Sequence, residues 1–391
     1  MVSAGRLAFT IGIVIGLFGS SGTADAGCQG EIKVKNQSDL DMIRSCKSFN
    51  GNIIIDQTAM ADININGIET LQGDLIIKGN DNLEKISLSL QGVNGKLNLI
   101  NNKILTTLNM PQLTAAKIFE LSVHPALNEV KFPAGLSQAE QLTIADTTAT
   151  KVEGLKLSGI KDMTITNNIY LKQLSIGNLT KVTGALTMSA NSPSLIADFS
   201  SLQSLDVGTF RNLAGISLKE LKQVSHDISF ISNSFSSLEL PSTTQVVGTL
   251  TIGDNEKLNI FSMPSLSKLG GALSLYGNSE LTSVNAFPKL EEVVGTLDIV
   301  GNFNEVDLPA LADVRGGLNV QTTSNQFSCD GVNKLKKGII KGNAFTCKAS
   351  VAKPKSTVNG KGSESSGVSI NFCQSGFAFA IASIFVTYLF Y

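Results

Sequence analysis

The sequence predicts an all-β fold: a right-handed parallel β-solenoid of about 13 coils of about 22 residues, its ends closed by disulfide-stapled caps. Three observations predict it. A G-x-L-x-I-x-x-N pattern recurs along most of the chain at near-constant spacing. No stretch keeps a helical period of apolar residues beyond about one turn. Two cysteine pairs, each with an internal separation of 18 positions, flank the repeats.

The elements follow in chain order. Residues 1–26 read as a secretory signal peptide: Arg6, an apolar run over residues 7–18, and the small-residue site Ala24-Asp25-Ala26, with cleavage expected before Gly27. Residues 27–52 form the N-terminal cap. They hold Cys28, Cys46 and the glycosylation sequon at Asn36, which marks a surface position in a secreted chain.

Residues 53–326 carry the repeats. The pattern is clearest over residues 248–255, 271–278 and 295–302, and appears early over residues 73–80. The first apolar residue of each coil is Ile53, Leu75, Leu97, Phe119, Leu142, Met163, Leu186, Leu205, Ile228, Leu250, Leu273, Leu297 or Leu318, at spacings of 19 to 24. In L-x-I both apolar residues face inward and the middle residue faces out, because side chains alternate along a strand. An asparagine three positions later marks a turn: Asn80, Asn102, Asn168, Asn191, Asn233, Asn255, Asn278 and Asn302. Stacked coils are expected to line these amides into a ladder, with His124 substituting on the same row. A second apolar set (Leu83, Leu127, Leu171, Leu258, Leu281) and a P-x-L-x-x-V-x-G segment, as at residues 309–316, complete a coil. At about 4.8 Å per coil the array makes a rod about 60 Å long. Irregularity is expected around Leu142 and Leu205. The second sequon lies at Asn178.

Residues 327–348 form the C-terminal cap, with Cys329 and Cys347. The four cysteines of the mature chain allow three connectivities. The local one, Cys28 with Cys46 and Cys329 with Cys347, is the expectation, and closing such a loop stabilises by about 3 kcal/mol. Residues 349–365, rich in Lys, Ser and Gly, read as a flexible stalk. Residues 366–391 read as a glycosylphosphatidylinositol (GPI) attachment signal that is removed. They combine a small triplet starting at Ser365, a short spacer and an uncharged tail over residues 376–391. Ser365 is the expected attachment residue, with Gly362 and Ser363 as rivals. A transmembrane helix is the competing reading, but a span needs about 20 apolar residues and the tail is shorter. Cys373 falls in the discarded tail.

Composition narrows the chemistry. Net charge is −1, with Lys+Arg 31 against Asp+Glu 32, so nucleic acid is not an expected partner. No G-x-S-x-G, P-loop or H-E-x-x-H motif is present and there are two histidines, so no catalytic, metal or cofactor site is expected. Carboxylates at outward positions, Asp206 and Asp298, lie several coils apart, about 19 Å, which is too far for a glycosidase pair. Trp is absent and Tyr totals 4, against a strong sugar-stacking site. The outward positions of the middle coils are Thr143, Thr164, Thr187, Ser229, Thr251 and Ser274. Stacked, they form a strip of small hydroxyls and a candidate docking face. Thr also suits any solvent-facing strand position, which is the plainer reading.

The repeats, the P-x-L-x-x-V-x-G segments, the terminal cysteine pairs and the tail signal together resemble the fungal GPI-anchored cell-wall organisation proteins, the sporulation-specific and extracellular-mutant family. Their body is similar to the leucine-rich receptor L domain of insulin and epidermal growth factor receptors. The resemblance implies a non-enzymatic role in wall integrity, on the outer leaflet of the plasma membrane through a GPI lipid or in the wall itself, with wall polysaccharides or wall proteins as partners. The short, Lys-containing stalk departs from the longer Ser/Thr-rich stalk of such proteins and counts against covalent transfer to wall glucan. Two alternatives remain open here: a receptor-like or adhesin module for a specific glycan or protein, and a wall-polysaccharide-active enzyme.

Overall fold

The computed structural model describes residues 27–357. The expected signal peptide and the attachment candidates Ser365, Gly362 and Ser363, with Cys373, lie outside the described residues.

The strand alternation produces a parallel stack. Ile53 pairs with Leu75, and the register runs on through Leu97, Phe119, Leu142 and Met163 to Leu186. It continues from Ile228 through Leu250, Leu273 and Leu297 to Leu318. Between these runs stands Gly208, not Leu205. Gly208 pairs with Leu186 and Ile228, whereas Leu205 pairs with Val182 and Val224 in the neighbouring row of the same sheet. The physical reason is compensation. A Cβ on Gly208 would come within 2.7 Å of Leu205 Cδ2 and 3.0 Å of Phe210 Cε2, so those side chains fill the place the anchor leaves. The register shift between Val182 and Ala185 beside it recurs between Val93 and Lys96 in a regularly anchored coil. In the Leu142 coil the anchor strand keeps regular register with both neighbours, and the expected irregularity lies on the opposite side, where Val152–Leu155 pairs with Val130–Leu136 through a register shift between Lys131 and Leu136.

The main sheet has 22 strands, since strands such as Lys181–Ser189 run through both apolar rows of a coil. Short strands such as Asp62–Ile65 and Lys85–Leu88 close the opposite side in smaller sheets. Among the described residues the two α-helices are short, Gln37–Asp41 and Asp330–Leu335. The inward side chains form one cluster from Val34 to Ile340. Each fully buried Leu or Ile there contributes about 1.5–3 kcal/mol.

The cap segments extend the stack. Strand Gln29–Val34 pairs with Ser48–Asp56, and Phe345–Lys348 pairs with Leu318–Thr322. Disulfides join Cys28 to Cys46 and Cys329 to Cys347, each beside one of these terminal strands. An open solenoid end exposes unpaired strand edges, and here each outermost strand is tied covalently to its own cap. Asn36 caps the first helix: its side chain accepts from Ser38 N–H at 3.0 Å, and Asp39 accepts from Asn36 N–H at 3.2 Å.

The glycine that opens the repeat has a packing reason. A Cβ on Gly271 would sit 2.5 Å from the carbonyl carbon of Gly248, and one on Gly295 would sit 2.5 Å from that of Gly271. Along this line the backbones of successive coils touch, and Gly271 and Gly295 N–H groups donate to Gly248 and Gly271 carbonyls at 2.8 and 2.9 Å.

The asparagine row forms a buried ladder. Asn255 shows the pattern: its N–H and Nδ2 both donate to Asn278 Oδ1 at 3.1 Å, and Nδ2 also donates to Phe230 O at 3.0 Å. Its own Oδ1 accepts from Asn233 N–H and Nδ2 at 2.9 and 3.0 Å. His124 holds the same row, with its ring nitrogens 3.1 and 2.9 Å from the carbonyls of Asn102 and Leu99. Asn302 does not join. It is exposed, the strand Leu297–Gly301 runs one residue further than its neighbour Leu273–Tyr276, and Phe303 takes the buried place. The residue before the ladder position is left-handed along the row, as in Asn101 (φ 55), Val123 (φ 61), Asn167 (φ 56) and Asp254 (φ 53), and Gly301 is not among them. That left-handed residue turns the amide inward, and without it Asn302 points to solvent.

Candidate docking face

The outward row lies on the broad sheet. Thr143 pairs with Thr164, Thr164 with Thr187, Ser229 with Thr251 and Thr251 with Ser274. Between Thr187 and Ser229 the register inserts Thr209. The sequence reading missed Thr209 because it anchored that coil on Leu205, which placed Asp206 in the row. Asp206 instead sits outside the row and pairs with His226 Nδ1. Seven hydroxyl residues therefore stand on seven successive strands, about 29 Å from end to end. Those from Thr143 to Thr251 are half-buried, and Ser274 is buried.

Both ends of the row change character. On the N-terminal side the register continues through Glu120, Asn98, Ile76 and Ile54. On the C-terminal side it continues through Asp298 and Asn319, both buried. Residues 355–357 lie over these two. Tyr276 flanks the row, its ring filling the space above Gly253, where a Cβ would come within 2.4 Å of Cζ. One half-buried tyrosine thus stands on this face.

Charge is organised elsewhere. Lys131 and Lys151 bridge Glu129 and Glu153 at 2.7 to 3.8 Å. Lys268 and Arg315 meet Glu292 at 2.7 and 2.6 Å, while Arg315 and Lys341 meet Asp313. These are carboxylate pairs on adjacent coils, which the sequence reading did not find. Their chemistry is that of neutralised surface pairs. The hydrogen bond from Lys131 holds Glu129 below the usual carboxylate range, that from Lys268 does the same for Glu292, and that from Lys341 for Asp313. A glycosidase general acid needs a raised value instead. Among the carboxylates of the described residues, Asp254 is the one pushed up, by burial, against the pull of Arg211. Among the described residues no group of three or more His, Cys, Asp or Glu side chains is placed to hold a metal ion.

The sequons are exposed. Asn178 is on the surface, and Thr180 Oγ1 of its sequon donates to Ser158 O at 2.8 Å. Asn36 is exposed and engaged as the helix cap through its oxygen.

Comparison with known proteins gives consistent relatives. A cell surface GPI-anchored protein of Arthroderma benhamiae is 32% identical over 340 residues, covering 87% of each chain. Protein ecm33 of Aspergillus fumigatus is 32% identical over 336 residues, 86% of this chain and 84% of that one. The cell wall protein ecm33 of Schizosaccharomyces pombe is 30% identical over 349 residues, 83% of this chain and 77% of the relative. No protein-family profile matches the chain, and no solved structure matches it.

Proposed function

This chain belongs to the family of fungal GPI-anchored cell-surface and cell-wall proteins that includes ecm33, and from that premise we propose a non-enzymatic surface protein that supports wall organisation by presenting a rigid docking face. Its place is the outer face of the plasma membrane or the wall, with a GPI lipid attached at Ser365 as the tether. The occupant of the face is wall polysaccharide or wall protein.

The observation that carries this reading is the unbroken register of small hydroxyls from Thr143 to Thr251 on a closely stacked sheet. Strands held by a continuous core do not rearrange on contact, so the row offers preorganised, weakly binding positions at a fixed repeat. Many such contacts add up to avidity without any single strong site. The paired and lowered carboxylates favour this over polysaccharide cleavage.

Co-sedimentation of the secreted body with purified wall glucan, chitin and wall mannoprotein tests the reading. Saturable binding that weakens about tenfold in the double variant Thr187→Glu, Thr209→Glu, with an unchanged melting temperature, is the expected result. Binding that ignores both substitutions sinks the assignment of this face. Release from intact cells by phosphatidylinositol-specific phospholipase C tests the tether.

A further inference from the structure

The row does not end where the hydroxyls end. Asp298 and Asn319 continue it, and both are buried, at 0% and 2% exposure, although they stand on the outward face. What covers them is the chain beyond the C-terminal cap. Ser350 N–H donates to Ser324 O and Val351 N–H to Thr322 O, which turns this segment back toward the sheet. Pro354 then fixes its own φ and biases Lys353 toward extended backbone.

The contacts that follow read a short peptide by backbone and hydroxyl. Gln321 addresses both sides of Lys355: its Nε2 donates to Lys355 O at 3.2 Å and its Oε1 accepts from Lys355 N–H at 3.3 Å. Asn319 Nδ2 donates to the same carbonyl at 2.9 Å and to Asp298 Oδ1 at 2.6 Å. Gln321 Nε2 also donates to Asn319 Oδ1 at 2.8 Å, which locks the two amides in one orientation. Asp298 accepts from the Ser356 hydroxyl, from Thr357 N–H at 3.1 Å and from the Thr357 hydroxyl at 3.5 Å. A carboxylate out of water is costly without donors, and this one is surrounded by them.

We propose that Asp298, Asn319 and Gln321 form a docking site for an extended Ser-Thr peptide, occupied at rest by residues 355–357 of the same chain, and that this latch closes the C-terminal end of the outward face. The docking stands independently of what the face binds. Undocking returns Asp298 and Asn319 to solvent and lengthens the accessible row by two strands.

Trypsin provides the test. The bond between Lys353 and Pro354 resists it, while the bond between Lys355 and Ser356 lies inside the latch. On the full-length protein isolated from expressing cells, cleavage after Lys355 is followed by intact mass. A free peptide with the sequence of residues 351–357 gives the undocked rate. The native protein is expected to be cut at least about tenfold more slowly than the peptide, as protection scales with the docked population. Asp298→Ala and the double variant Ser356→Ala, Thr357→Ala should both recover most of the peptide rate, with Ser229→Ala unchanged. The double variant leaves the solenoid intact, so an unchanged melting temperature separates latch loss from unfolding. Native protein cut as fast as the peptide, or variants cut at the native rate, overturns the proposal.

Discussion

The asparagine ladder and the hydroxyl row both recur from coil to coil along the stack, yet they do opposite things. Asn255 is fully buried, and its side chain satisfies backbone or side-chain groups on two neighbouring coils. Thr251, four residues earlier on the strand Leu250–Gly253, is half-exposed on a register of hydroxyls that faces outward. Repetition alone therefore says nothing about role. A repeated polar residue is structural where its bonds are spent inside the stack, and available to a partner where they are not.

Substitutions can break or sharpen this contrast. The largest effect is expected from Asn255→Ala. It orphans Asn233 N–H, leaves Asn233 Nδ2 with Phe210 O as its remaining acceptor and removes a donor from Phe230 O, all in a buried site, so a loss of about 4 kcal/mol should appear in denaturant unfolding. A loss below about 1 kcal/mol would mean that water or rearranged backbone replaces the amide. Gly271→Ala should follow, at about 3 kcal/mol, because the new methyl meets the backbone of Gly248, which cannot rotate away. Circular dichroism melting of the secreted variant checks this.

A smaller, pH-dependent effect belongs to His124. Burial pushes its imidazole below the ordinary value, although the carbonyls of Leu99 and Asn102 pull the other way. The folded state then binds fewer protons than the unfolded state in acid. The contribution of the neutral ring is thus complete above about pH 6.5 and is lost as pH falls through the lower folded value. His124→Asn should flatten the dependence of stability on pH below that point, and an unchanged slope would assign it to other groups. Thr251→Ala should give the smallest effect, within about 0.5 kcal/mol. A large loss there would move the hydroxyl row from the docking face into the stabilising scaffold.

Much of this molecule was legible as letters. The inward pairs, the opening glycine and most of the ladder follow from short-range rules. Side chains alternate with period 2 along a strand, and equal spacing puts equal positions over one another. The candidate face was legible for the same reason at Thr143, Thr164, Thr187, Ser229, Thr251 and Ser274. Thr209 escaped because its coil is anchored by a glycine, and a glycine leaves no mark in a hydropathy pattern.

What the sequence by itself determined, then, is the coil: its period, its inward and outward sides, and the cysteines that tie its ends. Tertiary structure alone decided three further things. Left-handed backbone at residues such as Val123 and Asp254 is imposed by the coils stacked on either side, since neither residue prefers it in isolation. Asn302 leaves the ladder because Phe303 wins the buried place. Asp298 meets Ser356, 58 positions away, and no periodic rule spans that distance. Local geometry repeats from coil to coil and can be read from spacing. A contact between the stack and a segment outside the repeat depends on how the whole surface closes.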